Sequence, residues 1–410
     1  MLRLGNGPAM FDYQQSGRYF AQWAQGFDEM AIEEMTRLGA DNVTPAYRGA
    51  HFCADPATLY GLVYRSRLVM RILAPLASFD CQNRDDLYRG GRAVDWGGLF
   101  STGHTFAIVA NVFGNTNLRH SQFAAMVLKD AIADAFRSRI GARPSVDRVD
   151  PDLWLNLHIN GPRATIGLDV SGGSLHRRGY RQQTVAAPMQ ETLAAAMVAL
   201  SEWQGERPLV DPMCGSGTLL CEALMAYCRI PAGYLRQGFG CRRLPDFDDN
   251  VWRQVKQKAD GAIRPLPAGL ITGCDVDPAA VKASAANCRQ LPGGDTITLH
   301  RGDCLVHKGF PDHAILTNPP YGVRLGRNDD LAGFYGHLGD FFKRRCTGSR
   351  AVLFFGDKTM LKRIGLKPSW KKALKNAALD GRVAGFDLFK GYRHPEKHLH
   401  RGGKKAPRRA

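Results

Sequence analysis

Between Phe20 and Leu168 the chain alternates short apolar runs with single helical patterns. Glu29–Leu38 (EMAIEEMTRL) spaces its apolar residues as a helix does and halts at Gly39, while His51–Cys53 reads as a short strand. Asp55–Pro56 supplies a cap and first turn for a helix continuing through Leu59 and Val63. Strand patterns recur at Thr105–Val112, Trp154–Ile159 and Ala164–Leu168, and His120–Arg137 carries an alanine-rich helix with Met126, Val127 and Ile132. Strands alternating with single helices predict compact α+β units of ferredoxin-like size. The first nineteen residues are Gly/Gln-rich and unpatterned, and a frayed extension is expected there.

From Pro188 the texture changes to long βα alternation. Helices are predicted at Glu191–Leu200, Thr218–Tyr227, Pro278–Arg289 and Leu331–Arg345. Strands are predicted at Leu209–Val210, Leu270–Gly273, Thr296–His300, Ala314–Thr317 and Ala351–Phe355. Such alternation predicts a doubly wound α/β domain. Between the two halves, Ser171–Arg181 (SGGSLHRRGYR) reads as a linker, either a solvated loop or a contact to RNA phosphates.

Composition narrows the function class. At 410 residues, two or three domains are expected. The balance of 44% hydrophobic and 23% charged residues is that of a globular protein. A formal net charge of +17 favours a polyanionic partner, nucleic acid first and an acidic membrane surface second. The segment from Gly391 onward holds seven Lys/Arg against Glu396, so eleven of the seventeen net charges belong to the rest of the chain. Lys358–Lys375, with seven basic residues and no acidic one, is a second candidate footprint for a polyanion. The ten cysteines form no C-x-x-C pair and the N-terminus does not read as a signal peptide, which predicts reduced, mostly buried thiols in a cytoplasmic protein. No apolar run reaches the length needed to span a bilayer. His394, His398 and His400 lie in a Gly/Lys/Arg-rich tail, so a solvated basic tail is expected there and no metal.

The candidate chemistry sits at strand ends. Leu209–Ala223 (LVDPMCGSGTLLCEA) runs a strand into Asp211, turns at Gly215 and Gly217, and enters a helix at once. This is the first βα turn of a nucleotide-type fold, where a ligand approaches bare backbone. The phosphate-loop pattern needs a lysine that is absent, and Leu220 stands where a dinucleotide fingerprint has its third glycine. The next strand ends in Asp275 (ITGCDVDP), placed to accept from ribose hydroxyls, and the third in Asp303 (LHRGDCL), which could accept from an adenine amino group. Each carboxylate alone is as well explained by a helix cap or a solvated loop; Asp277, before Pro278, is expected to be a cap. Together with Asn318, four consecutive polar strand ends favour an adenosine-bearing ligand along one sheet edge.

At the fourth end stands Ile315–Gly326 (ILTNPPYGVRLG). The Asn318 side-chain carbonyl and the Pro319 backbone carbonyl can both accept from one exocyclic amine. That would free the amine's lone pair to attack a methyl group. Pro319 and Pro320 stiffen the backbone and so preorganise the acceptors, and Tyr321 can stack on a base flipped into the pocket. No strong general base is required, because the amine sheds its proton after the methyl arrives.

These three motifs, in this order, resemble the class I S-adenosylmethionine-dependent amino methyltransferases. Upstream, DLYRGGRAVDW (86–96), NLRHSQFAAMVLKDAIADAF (117–136), RPSVDR (143–148), LDVSGGSLHRRGYR (168–181) and APMQETLAAA (187–196) resemble the bacterial RlmL-type family. Its members methylate the N2 amine of a guanine in 23S ribosomal RNA and carry an RNA-binding THUMP domain. The resemblance implies a Rossmann-like class I methyltransferase sheet preceded by ferredoxin-like and THUMP domains. The implied order is 1–19 extension, 20–59 ferredoxin-like, 60–168 THUMP, 169–186 linker, 187–390 methyltransferase and 391–410 basic tail. It also implies S-adenosylmethionine as cofactor, held by Asp211, Gly215, Gly217, Asp275 and Asp303, with Asn318, Pro319, Pro320 and Tyr321 at the target base. The helix start Gln190–Thr192 matches a segment that closes over the methionine end. The implied partner is large-subunit ribosomal RNA before or during assembly, with no membrane and no obligatory protein partner. Well-known members continue into a second methyltransferase domain where this chain has its basic tail, so a single reaction is expected. A THUMP enzyme acting on a transfer RNA guanine, or a non-catalytic RNA-binding protein, remains open on the motifs alone.

Overall fold

The computed structural model describes residues 10–184, 188–321 and 330–389. The basic tail and its three histidines lie outside the described residues, as does the segment that follows Tyr321.

The amino-terminal half runs α1 (Asp12–Ser16), β1 (Arg18–Gln22), α2 (Asp28–Arg37), β2 (Asp41–Ala46), β3 (Gly49–Cys53), α3 (Pro56–Arg65), β4 (Arg71–Asp80), α4 (Arg84–Ala93), β5 (Thr105–Phe113), α5 (Ser121–Ile140), β6 (Ser145–Val146), β7 (Leu153–Asn160) and β8 (Arg163–Asp169). Its eight strands form one sheet in the order β2-β3-β1-β4-β8-β7-β5-β6. Alternation along β7 buries Leu153, Leu155, Leu157 and Ile159 on one face and leaves His158 and Asn160 exposed on the other.

Two expectations fail here. The frayed extension is ordered from residue 10: Phe11 and Tyr13 are buried, their rings stack on each other, Tyr13 packs tilted against Tyr19, and the Tyr13 hydroxyl donates to Asp246 at 2.6 Å. Three aromatics within nine residues were the signal, and they outweigh the Gly/Gln content because each removes a large apolar area from water. The boundary expected between residues 59 and 60 falls inside α3, and the sheet continues through it without a break.

The carboxyl-terminal half runs α6 (Glu191–Ser201), β9 (Leu209–Asp211), α7 (Thr218–Cys228), α8 (Asp249–Asp260), β10 (Ile271–Asp275), α9 (Pro278–Cys288), β11 (Thr298–Arg301), β12 (Ala314–Thr317), α10 (Leu331–Arg345), β13 (Arg350–Phe355), α11 (Met360–Arg363), β14 (Trp370–Asn376) and β15 (Leu379–Asp387). Its sheet order is β11-β10-β9-β12-β13-β15-β14, parallel through β13, with β15 antiparallel to both its neighbours. Strand order reverses between β9 and β12, so the crevice at their carboxyl ends is where a ligand fits.

The expected linker is also corrected. Arg178 is 1% exposed, and its Nε donates to Glu222 at 3.2 Å from within α7. Its remaining nitrogens donate to the carbonyls of Leu175 and Arg67, and the Tyr180 hydroxyl donates to Glu222 at 3.1 Å. A guanidinium so enclosed faces no solvent and no RNA phosphate; it ties the two halves together. A second tie is aromatic: Trp252 of α8 packs on Tyr60 and Tyr64 of α3, and Tyr64 donates to Asp260 at 2.6 Å.

Candidate active site

Three of the four polar strand ends come together: Asp211 and Asn318 line one cleft, and Asp275 is joined to its glycine turn through the Gly215 amide. β9 terminates in Asp211, wholly enclosed, and burial pushes its carboxyl up to about 7 against the opposing hydrogen bond from the Met213 amide. A cationic ligand group placed beside it would draw it back to the ionised form. The turn that follows passes through the left-handed region at Gly215 (φ 55°) and Gly217 (φ 78°). At Gly217 a Cβ would stand 2.9 Å from the Ser284 hydroxyl, so the turn admits only glycine and leaves its backbone open to a ligand. α7 then begins with its amides aimed back at the crevice.

Asp275 does two jobs. Its Oδ2 accepts from the Gly215 amide at 2.9 Å and its Oδ1 from the Asp277 amide at 3.0 Å, which locks the glycine turn to the end of β10. Each carboxylate oxygen keeps a second lone pair for a ribose hydroxyl. Asp277 caps α9 through the Ala279 amide, as expected. Asp303 sits on an exposed turn past β11, one oxygen accepting from the Leu305 amide at 2.9 Å, and it does not line the cleft that holds Asp211 and Asn318.

Asn318 follows β12 and lines the same cleft as Asp211, Gly215, Ser216 and Met189. Its Oδ1 is shut from solvent and has no hydrogen-bond partner among the described residues. A buried carbonyl without a donor is destabilising by about 1–3 kcal/mol, so a ligand amine entering the cleft would find a free acceptor here. Pro319 is buried, and the Pro320 carbonyl accepts from the Tyr335 hydroxyl at 3.4 Å. The Tyr321 ring stands edge-on to Phe354 at 6.0 Å and lies against Gly356, where a Cβ would come within 2.6 Å of ring atoms.

Several supporting residues escaped the sequence reading. Asn287 of α9 clamps the glycine turn from behind, donating to the Ser216 carbonyl at 2.9 Å. Arg181 joins Glu191 to the Ser216 hydroxyl and the Met189 carbonyl. Gln190 accepts from the Ala377 amide while its own amide donates to Asn376, and Asn376 Nδ2 donates to the Tyr321 hydroxyl at 3.3 Å. The expected closing segment at Gln190–Thr192 is thereby bound to the β14–β15 turn, with Thr192 buried in α6. None of these partners is local in sequence.

Comparison with known proteins is consistent with this geometry. Residues 178–384 match the RMKL-like methyltransferase domain family and residues 81–169 match the THUMP domain. The protein slr0064 of Synechocystis sp., provisionally named an RNA methyltransferase, is 38% identical over 375 residues, covering 90% of this chain and 97% of its own. Ribosomal RNA large subunit methyltransferase K/L of Syntrophotalea carbinolica is 36% identical over 94% of this chain, and that of Photobacterium profundum 35% over 88%. The chain spans about half the length of these K/L relatives, 56% and 52%. Among solved structures, SMU.472 in complex with SAH superposes with a TM-score of 0.79 at 24% identity, covering 92% of this chain and 99% of that one. A protein of Clostridium difficile 630 described as a possible methylase superposes at 0.78 with 25% identity, covering 92% and 99%.

Proposed function

This chain belongs to the RMKL-like methyltransferases that carry a THUMP domain, and from that premise we propose that it methylates the exocyclic N2 amine of a guanine in 23S ribosomal RNA. The observation that carries the reading is the buried, partnerless Oδ1 of Asn318 at the switch point. The family's cofactor is S-adenosylmethionine, and the open glycine turn, the enclosed Asp211 and the strand-end Asp275 fit it. When bound, it supplies an electrophilic methyl group. Asp275 would hold the ribose, the Gly215–Gly217 turn would pass beneath it, and Asp211 would answer its positive charge. Asp303 would serve the adenine from the turn past β11.

Asn318 Oδ1 and the Pro319 carbonyl accept from the target amine. They bias its hydrogens away from the ring plane, so the nitrogen lone pair can reach the methyl. Tyr321 stacks on the extruded base, held upright by Asn376 and Gly356. The proton leaves the amine after transfer, which asks for no strong base.

Single-turnover transfer of labelled methyl to unmodified 23S and transfer RNA fragments, followed by nucleoside mass spectrometry, tests the proposal. Losing one preorganised acceptor typically lowers a rate by roughly 100- to 1,000-fold, so Asn318→Ala should do so with ligand affinities nearly kept, and Asn318→Asp should retain more activity than alanine. A near wild-type rate for Asn318→Ala, or label appearing on any nucleoside other than N2-methylguanosine, overturns it.

A further inference from the structure

The face of the amino-terminal sheet that carries Phe20, His51 and His158 is exposed or half-buried at these positions, and that face is curled. Tyr47, in the β2–β3 turn, is five strand spacings from β5, about 24 Å across a flat sheet. Yet the Tyr47 and Phe113 ring centroids are 6.3 Å apart. The bend arises in β4, whose register shifts between Pro75 and Ala77, and a bulge of this kind sharpens local twist and turns the strand. The result is a trough with the β2–β3 hairpin on one side and the ends of β5 and β7 on the other.

Flat rings line this trough. Phe20 and His51 are register partners with centroids 4.9 Å apart, and Phe113 lies 5.9 Å from His158. Although both imidazoles keep an exposed edge, partial desolvation, with the Arg18 guanidinium beside His51, lowers the pKa of each and so favours the uncharged ring. Tyr47 is 76% exposed and Phe113 49%, though large apolar rings gain by leaving water. Arg18 and Arg48 flank the rings, both exposed, and neither has a carboxylate partner among the described residues.

We propose that this trough is a stacking platform for unpaired bases of the RNA substrate, with Tyr47 and Phe113 as the outer rings and Arg18 and Arg48 on the phosphates. The proposal rests on the reading of the chain as an RNA methyltransferase and locates a contact that the reading leaves open. An apolar protein segment would bury two guanidinium groups without counter-charge, which is costly; a nucleic-acid strand brings both the planes and the phosphates. Paired RNA hides its bases, so the strand must be single there.

The test is fluorescence anisotropy with a labelled, unstructured RNA oligonucleotide, using the full chain. Stacking is worth about 1–3 kcal/mol per base, so Tyr47→Ala and Phe113→Ala should each weaken binding by roughly 5- to 150-fold, and Phe113→Tyr should restore it. Because stacking does not depend on counterion release, that loss should persist as salt rises, whereas Arg18→Ala should flatten the salt slope. Both ring positions are exposed, and unchanged thermal melting of the variants checks that the fold survives. Wild-type affinity in Tyr47→Ala/Phe113→Ala overturns the platform while leaving the methyltransferase reading intact. Absence of RNA binding by the wild type overturns both. A change of sedimentation coefficient on substitution would make the trough a contact between copies of the chain and also overturns it.

Discussion

Arg178 offers the sharpest test of how the two halves are joined. Its side chain is 1% exposed and that of Glu222 0%, with 3.2 Å between the charged atoms. Burial alone would lower the Arg178 pKa, but Glu222 holds it above its ordinary value; burial raises the Glu222 pKa against the pull of Arg178 and Arg67. Arg178→Met keeps the aliphatic volume and deletes the charge. It leaves Glu222 with the Tyr180 hydroxyl as its donor and Arg67 as the remaining nearby positive charge, and it strands the carbonyls of Leu175 and Arg67. Removing one partner of a buried pair costs about 3–5 kcal/mol, because the other is left charged in a low dielectric or must take up a proton. For a cooperative unit of about 200 residues, 1 kcal/mol moves the midpoint by roughly 2–4 °C, so a fall of roughly 6–20 °C is expected.

The assay is thermal unfolding followed by circular dichroism and tryptophan fluorescence, since Trp252 of α8 packs on α3 across the same two halves. Glu222→Gln should also destabilise, and Arg178→Met/Glu222→Gln should cost less than the sum of the two, since the second change removes the orphaned charge that the first creates. A midpoint within 2 °C of wild type for Arg178→Met would refute the argument. Ser171–Arg181 would then be the solvated linker that its glycines and basic residues suggest.

Two further outcomes follow from the site. Asp275→Ala should weaken S-adenosylmethionine binding by about 1–3 kcal/mol in calorimetry, through lost ribose hydrogen bonds and a loosened Gly215 turn; unchanged affinity would put the ribose elsewhere. Asn376→Ala should slow methyl transfer more in the wild-type background than in Tyr321→Phe, because part of its action runs through that hydroxyl and the rest through the Gln190 amide; equal losses in both backgrounds would break the link to Tyr321.

What could be read from the sequence divides along a physical line. The parallel strands Ala314–Thr317 and Arg350–Phe355 are covered on both faces, so they appear as unbroken apolar runs and were readable almost to the residue. β14 and β15 were missed for opposite reasons. β14 is the sheet's edge strand and carries Lys371, Lys372 and Lys375, charges that keep an exposed edge from pairing with other chains, so it read as a basic footprint instead. β15 contains Gly381 and Gly385, which look like turn residues. Here they make room for the rings of Phe354 and Trp370, which a Cβ would meet at 2.2 Å and 2.4 Å.

The same line runs through the candidate site. Asp211, Gly217, Asp275 and Asn318 could be found because each stands where an apolar run stops, and a strand end is a local event. Their supports were invisible because each is defined by a partner far along the chain: Asn287 by Ser216, Arg181 by Ser216, Asn376 by Gln190 and Tyr321. Arg178 shows the cost of that blindness. In a stretch of glycines and basic residues it has the look of a solvated arginine, and only the fold brings Glu222, 44 positions away, to within 3.2 Å. Charge in a sequence reports a need for a counter-charge or water. Which of the two answers it depends on the packing of α7 against the chain that joins the halves, and here it is the carboxylate.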